Sequence, residues 1–217
     1  MAHWSWAGAL VGTWLVAQTV APTGQGPKIL TIDAADSHVT ILVGKAGVLS
    51  FAGHTHEIAT SAVRGRVRFD PADWPHASVS LEFDAAALRV TGKGEAASDV
   101  PAVERTMLGE QVLDVRRFPT ITFQSRRVSA AFHGAHAVTL TIDGDMTLRG
   151  ATRPITVRAE ATSDASGRVT ATGAFTLKQS DFGITPVTAA GGTIRVRDQV
   201  DIRFVLKASP ANDTFSH

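Results

Sequence analysis

His54 and His56 stand two residues apart, with His38 upstream. On one strand, two such side chains share a face. Imidazole is a common ligand for zinc, copper and haem iron, so the pair with His38 would suit a metal- or haem-binding protein. The competing reading leaves both rings in water at a strand end beside Gly53 and Thr55. That reading is preferred, because no third ligand has diagnostic spacing. Asp143 and Asp145 also share a face, opposite Ile142 and Met146. A catalytic carboxylate pair needs one member perturbed by burial, whereas these fall on the polar side of their segment. No Gly-x-Ser-x-Gly, His-Glu-x-x-His or phosphate loop occurs, and no helix pattern follows Gly191-Gly192. The absence of cysteine removes thiolate metal sites, disulfides and a cysteine nucleophile. We therefore expect a binding protein without catalytic residues, metal or cofactor.

Two basic rows remain, Arg64, Arg66 and Arg68 on one segment and Arg195 and Arg197 on another. Each cation near an anionic leaflet is worth about 1 kcal/mol, which would allow transient contact with a membrane surface. At a formal net charge of +1, a solvated outer face is the preferred reading and nucleic acid is not an expected partner.

The elements that carry these residues alternate with a period of two. Val63, Gly65, Val67 and Phe69 are separated by arginines, and Leu81 and Phe83 by Glu82. Val138, Leu140, Ile142, Gly144, Met146 and Leu148 hold one phase, as do Val200, Ile202, Phe204 and Leu206. Strands with one dry and one wet face belong to an antiparallel sheet open to water on one side. Strands are expected near 29–33, 38–44, 48–53, 56–59, 62–70, 78–83, 120–129, 137–148, 155–162, 169–178 and 193–206, with a short loop over 150–153 that Pro154 ends. Residues 99–113 break the alternation. Val103 with Met107, and Leu108 with Val112, are helical i,i+4 pairs. Ten or so meandering strands with one helix and no βαβ rhythm point to a closed or nearly closed antiparallel barrel, because closure removes sheet edges.

Residues 1–21 contain no Asp, Glu, Lys or Arg and carry an apolar run over 7–17. They read as a secretory signal, with an uncleaved anchor as the alternative, so a periplasmic or secreted location is expected. A Pro/Gly linker over 22–27 leads into a domain at 28–208 and a tail at 209–217. This length suits one all-β domain.

The dry face includes small residues. Ala159 and Ala161 follow Val157, and Ala171 and Gly173 precede Phe175. An eight-stranded barrel is wide enough either to be filled by side chains or to hold one small ligand. Small interior residues fit a cavity, and they equally fit room made for Phe175, Phe204 or the helix. A third possibility is a packed barrel that acts through its surface. If a cavity exists, its apolar lining suits hydrocarbon better than sugar or nucleotide. The candidate ligand-binding positions are Val67, Phe69, Leu81, Phe83 and Phe123, then Ile142, Met146, Leu148, Val157 and Ala159. Ala171, Phe175, Phe182, Ile202 and Phe204 complete them.

Several motifs add a family resemblance. Asp143-Gly-Asp-Met-Thr-Leu-Arg-Gly-Ala-Thr-Arg-Pro-Ile-Thr-Val157 resembles the "LTIRGVTKPV" hairpin of the YceI-like, polyisoprenoid-binding family. Gln179-Ser-Asp-Phe-Gly-Ile184 is similar to its "RSDFGI" segment, and Phe118-Pro-Thr-Ile-Thr-Phe123 with Ser125 to its "YPxITFxS" strand. Ile32-Asp33 followed by Ser37, and Arg64-Gly65 before Phe69-Asp70, match its opening strands. The resemblance spans about residues 32–208. It implies an all-β, eight-stranded antiparallel lipocalin-like barrel with one helix inserted between strands, and an elongated apolar pocket for an isoprenoid-type lipid. The chain departs from the family pattern in its helix, and at Gln179, where the family carries arginine.

Overall fold

The computed structural model describes residues 26–46, 55–70, 73–134, 137–189 and 194–211. His54, the expected strand at 48–53 and the N-terminal apolar run lie outside these residues. Eight strands close a ring. In order around it they are β1 (Lys28–Ile32), β4 (Val63–Phe69), β5 (Ser78–Asp84), β7 (Thr120–Phe132), β8 (Ala137–Leu148), β9 (Ala151–Ser163), β10 (Val169–Lys178) and β12 (Ile194–Pro210). The ring closes where β12 pairs back onto β1, through Leu30↔Pro210 and Ile32↔Ala208. Every pairing is antiparallel.

Three of these strands continue past a jog. β2 (His38–Ala46) extends β1 along β12, β3 (His56–Thr60) precedes β4, and β6 (Arg89–Val90) follows β5. The jogs are a 3-10 turn at Ala34–Asp36, the pair Ser61-Ala62, and a 3-10 turn at Ala85–Ala87. They stand side by side, and the backbone N–H of Asp84 donates to the carbonyl of Ala62 at 3.1 Å. Buried Ser37 fastens the first jog, its Oγ accepting from the Lys207 amide at 2.9 Å, while Asp33 accepts from Ser209 Oγ at 2.6 Å. A short β11 (Thr188–Ala189) pairs with β12.

Alternation sets the layers. Buried Ile142, Met146 and Leu148 lie inside β8, and Val157, Ala159 and Ala161 inside β9. Asp143 and Asp145 face outward, Asp143 accepting from Thr156 Oγ1 at 2.6 Å and Asp145 paired with Arg126 at 3.5 Å. In the basic row of β4, Arg64 pairs with Glu82, and Arg64, Arg66 and Arg68 are all exposed.

The 150–153 loop is shorter than expected. Only Arg149 and Gly150 separate β8 from β9, both with positive φ (50° and 74°), and Pro154 sits within β9 opposite Asp145. Paired left-handed residues match the twist of a two-residue hairpin. The helix is also shorter. α1 (Val100–Leu108) stops where the Gly109 amide donates to Arg105 O and Thr106 O, so Leu108 and Val112 are not a helical pair. Gly costs a helix about 1 kcal/mol relative to Ala, and the turn bonding that follows replaces the ladder.

Candidate functional site

The barrel encloses a cavity of about 580 Å³. Its wall is built from inward positions of the strands. Val39, Ile41 and Val43 come from β2, and Leu81 and Phe83 from β5; Val157, Ala159 and Ala161 come from β9, and Val200, Ile202, Phe204 and Leu206 from β12. Across the β9–β10 wall the register sets Ala161 against Ala171 and Ala159 against Gly173. This thin wall widens the lumen, and all three alanines line it. Gly173 serves differently. A Cβ there would lie 2.5 Å from Phe204 Cζ, so the glycine makes room for the ring. Gly144 does the same for Phe123, at 2.6 Å. Both uses of small residues therefore occur, at different positions.

One end is covered by α1 and the turns after it. Val103, Thr106 and Met107 from the helix, with Val112 and Leu113, line the cavity. Their spacing puts one helical stripe on the lumen. Polar contacts anchor this cover. The Val90 amide donates to Glu104 Oε2 at 3.0 Å, and Lys93 pairs with Glu57 at 2.7 Å. The Lys93 ammonium, donating to Glu57, holds that carboxyl below the usual carboxylate range. Arg149 of the hairpin turn donates to Gly183 O at 2.6 Å and to Glu110 O at 2.9 Å, joining β8 to the segments beside the helix. Ser180 donates to Asp198 through its amide at 2.8 Å and its hydroxyl at 2.6 Å, and these bonds hold the Asp198 carboxyl below its ordinary range.

The opposite end carries an aromatic cluster, with Trp74 stacked on Phe69 (5.1 Å between centroids) and edge-on to Phe132 (5.6 Å). Here one expectation is corrected. Phe69 continues the phase of Val67 but does not line the cavity, because at the strand end its ring turns onto Trp74. Phe182 is corrected too. It is buried at 2% exposure inside a 3-10 turn (Gln179–Phe182), outside the lumen, where strand phase no longer applies. The other candidate positions all line the cavity: Val67, Leu81, Phe83, Phe123, Ile142, Met146, Leu148, Val157, Ala159, Ala171, Phe175, Ile202 and Phe204.

The histidines do not share a site. His38 begins β2 on its outward, exposed phase, whereas His56 begins β3 on the inward phase and lines the cavity. The expectation that His56 sits in water is therefore wrong. Its side chain is 14% exposed, and its Nδ1 lies 2.5 Å from Glu95 Oε1, whose side chain is 5% exposed. Among the described residues no three His, Cys, Asp or Glu side chains come together as a metal site. Sequence reasoning also missed Lys45, Thr60 and Gln179 as lining residues. Lys45 was legible, since it continues the Val39, Ile41, Val43 phase.

Comparison with known proteins agrees with this architecture. The family model of the YceI-like domain matches residues 30–208. BcnA of Burkholderia cenocepacia superposes with a TM-score of 0.63 at 21% identity, covering 82% of this chain and 99% of that chain. A Saccharophagus degradans polyisoprenoid binding domain implicated in plant cell wall breakdown gives 0.60 at 12% identity, over 83% of this chain and 98% of that chain. A YceI protein of Campylobacter jejuni gives 0.50 at 15% identity, over 68% and 80% respectively. No curated protein matches the chain.

Proposed function

This chain belongs to the YceI-like domain family, and on that premise we propose that it binds an amphiphilic isoprenoid or similar lipid within the barrel. The carrying observation is the lumen of about 580 Å³, walled almost entirely by aliphatic and aromatic side chains. Cavities of 300–1,000 Å³ are typical for small ligands. A sugar or nucleotide would leave its polar groups without partners against this wall, at roughly 1–3 kcal/mol each. A prenyl or acyl chain leaves none. The similarity in fold to the Saccharophagus degradans polyisoprenoid binding domain supports the same class of ligand.

The role we propose is that of a carrier or storage protein without catalysis, acting in the periplasm or after secretion. The uncharged apolar run over residues 7–17 supports export. The deciding experiment is mass spectrometry of an organic extract of protein purified from the envelope of its own cells. We expect an apolar molecule in near-stoichiometric amount, and a mature N-terminus near residue 22. Extracts empty of lipid, from protein that also takes up no added prenyl compound, would overturn the reading.

A further inference from the structure

The lumen is not uniformly apolar. Its polar side chains other than mid-wall Thr60 gather at the end covered by α1. Lys45 closes the inward series of β2, His56 opens that of β3, and Gln179 follows Phe175 and Leu177 at the end of β10. Register brings them together. Val43 pairs with His56 and with Val200, and Lys45 pairs with Val196. Gln179 Nε2 donates to Arg197 O at 2.8 Å, and Arg197 Nε donates to Lys45 O at 3.1 Å. The three side chains thus share one rim.

Among the described residues that line the lumen, Lys45 is the one Lys, Arg, Asp or Glu. Beyond the lining, Glu95 is paired with His56 and Glu57 with Lys93, while Asp198, which does not line the cavity, accepts from the neutral Ser180. Asp181 is exposed in the neighbouring turn and does not line the cavity. Lys45, by contrast, forms no ion pair among the described residues. With Nδ1 engaged by Glu95, His56 keeps Nε2 without a partner among the described residues. An unpaired ammonium at the rim of an apolar cavity gains most from an anionic oxygen head, since charge-assisted hydrogen bonds are roughly twice as strong as neutral ones.

We propose that Lys45, with His56 and Gln179 around it, forms a head-group subsite for a carboxylate or phosphate at the end of an apolar chain. This rests on the cavity holding that chain, as proposed above. The ligand class narrows from any apolar molecule to an anionic amphiphile.

Three probes with one tail test it on the full-length protein: geranylgeranyl phosphate, geranylgeranoic acid and geranylgeraniol. Wild type should bind at least one of the anions about tenfold or more tighter than the alcohol, the worth of one charge-assisted hydrogen bond. The tighter of the two anions names the head. Lys45→Met should erase that preference while keeping alcohol affinity within about twofold, and Lys45→Arg should retain it. Equal binding of all three probes by wild type, or equal weakening of all three in Lys45→Met, would overturn the subsite and leave the cavity reading standing. Binding of none would overturn both.

Discussion

Gly173 lies beneath the ring of Phe204. A methyl group added at its Cα would sit 2.5 Å from Phe204 Cζ and 2.4 Å from the Arg158 carbonyl. Arg158 O belongs to the β9 backbone and yields only if the strand moves, and Phe204, which leans on Phe175 at 6.5 Å, would have to turn into the lumen. Gly173→Ala should therefore destabilise the protein by about 1–3 kcal/mol, the usual cost of overpacking. Urea unfolding measures this, and an unchanged midpoint would show that the wall flexes.

His56 and Glu95 predict a second effect. Deleting the ring leaves a carboxylate with 5% exposure unpartnered. His56→Ala should cost about 1–3 kcal/mol, the penalty of an unsatisfied buried group. The double variant with Glu95→Ala should cost less than the two single changes summed. A simple additive result in a double-mutant cycle would mean the pair contributes nothing.

The barrel was legible because alternation is a local signal: Ile142, Met146 and Leu148 already imply a dry face by spacing alone. The breaks at Ala34–Asp36, Ser61-Ala62 and Ala85–Ala87 were legible as strand ends. That the chain jogs there and continues into β2, from β3 and into β6 was not, because the pairing of those extensions is long-range. The family motifs were legible for a different reason, since they fix turns and jogs. Ser37 and Asp33 tie the first jog to β12, Arg149 ties the hairpin to Gly183, and Ser125 Oγ accepts from the Val79 amide. Those residues specify fold more than ligand. The polar rim went unread because Lys45 and His56 come together only through the Val43↔His56 register, which no local pattern reveals. Phe69 and Phe182 were misassigned where strand phase ends.

Asp198 gives a pH dependence. Hydrogen bonds from Ser180 hold its carboxyl below the ordinary range in the folded protein. A depressed folded pKa adds stability above the unfolded pKa, and that stability is lost as pH falls through the folded one. Asp198→Asn should thus be less stable than wild type at neutral pH, with the gap closing in acid. Denaturant midpoints for both proteins across that range test the sign. A gap that persists unchanged in strong acid would assign the effect to geometry instead of charge.

Ala159 and Ala171 distinguish a ligand-holding barrel from a solid one. Both line the lumen, on adjacent strands where Ala159 pairs with Gly173 and Ala171 with Ala161. Leucine at either position pushes a branched side chain into the cavity. In a filled core such a change costs about 1–3 kcal/mol through strain. In a lumen of about 580 Å³ the added atoms take the place of ligand instead. Ala159→Leu and Ala171→Leu should therefore lower bound lipid in the organic extract while the lipid-free protein keeps most of its stability. Val157→Asp makes the contrast. Val157 is 7% exposed and surrounded by Ile142, Ala159 and other apolar lining, so a carboxylate there finds no partner. It should impair folding and binding together. Measuring extractable lipid and the denaturation midpoint on the same preparations separates the cases. Leucine variants that unfold readily, from a parent that carries no lipid, would mean that the cavity closes in solution and that the outer surface does the work.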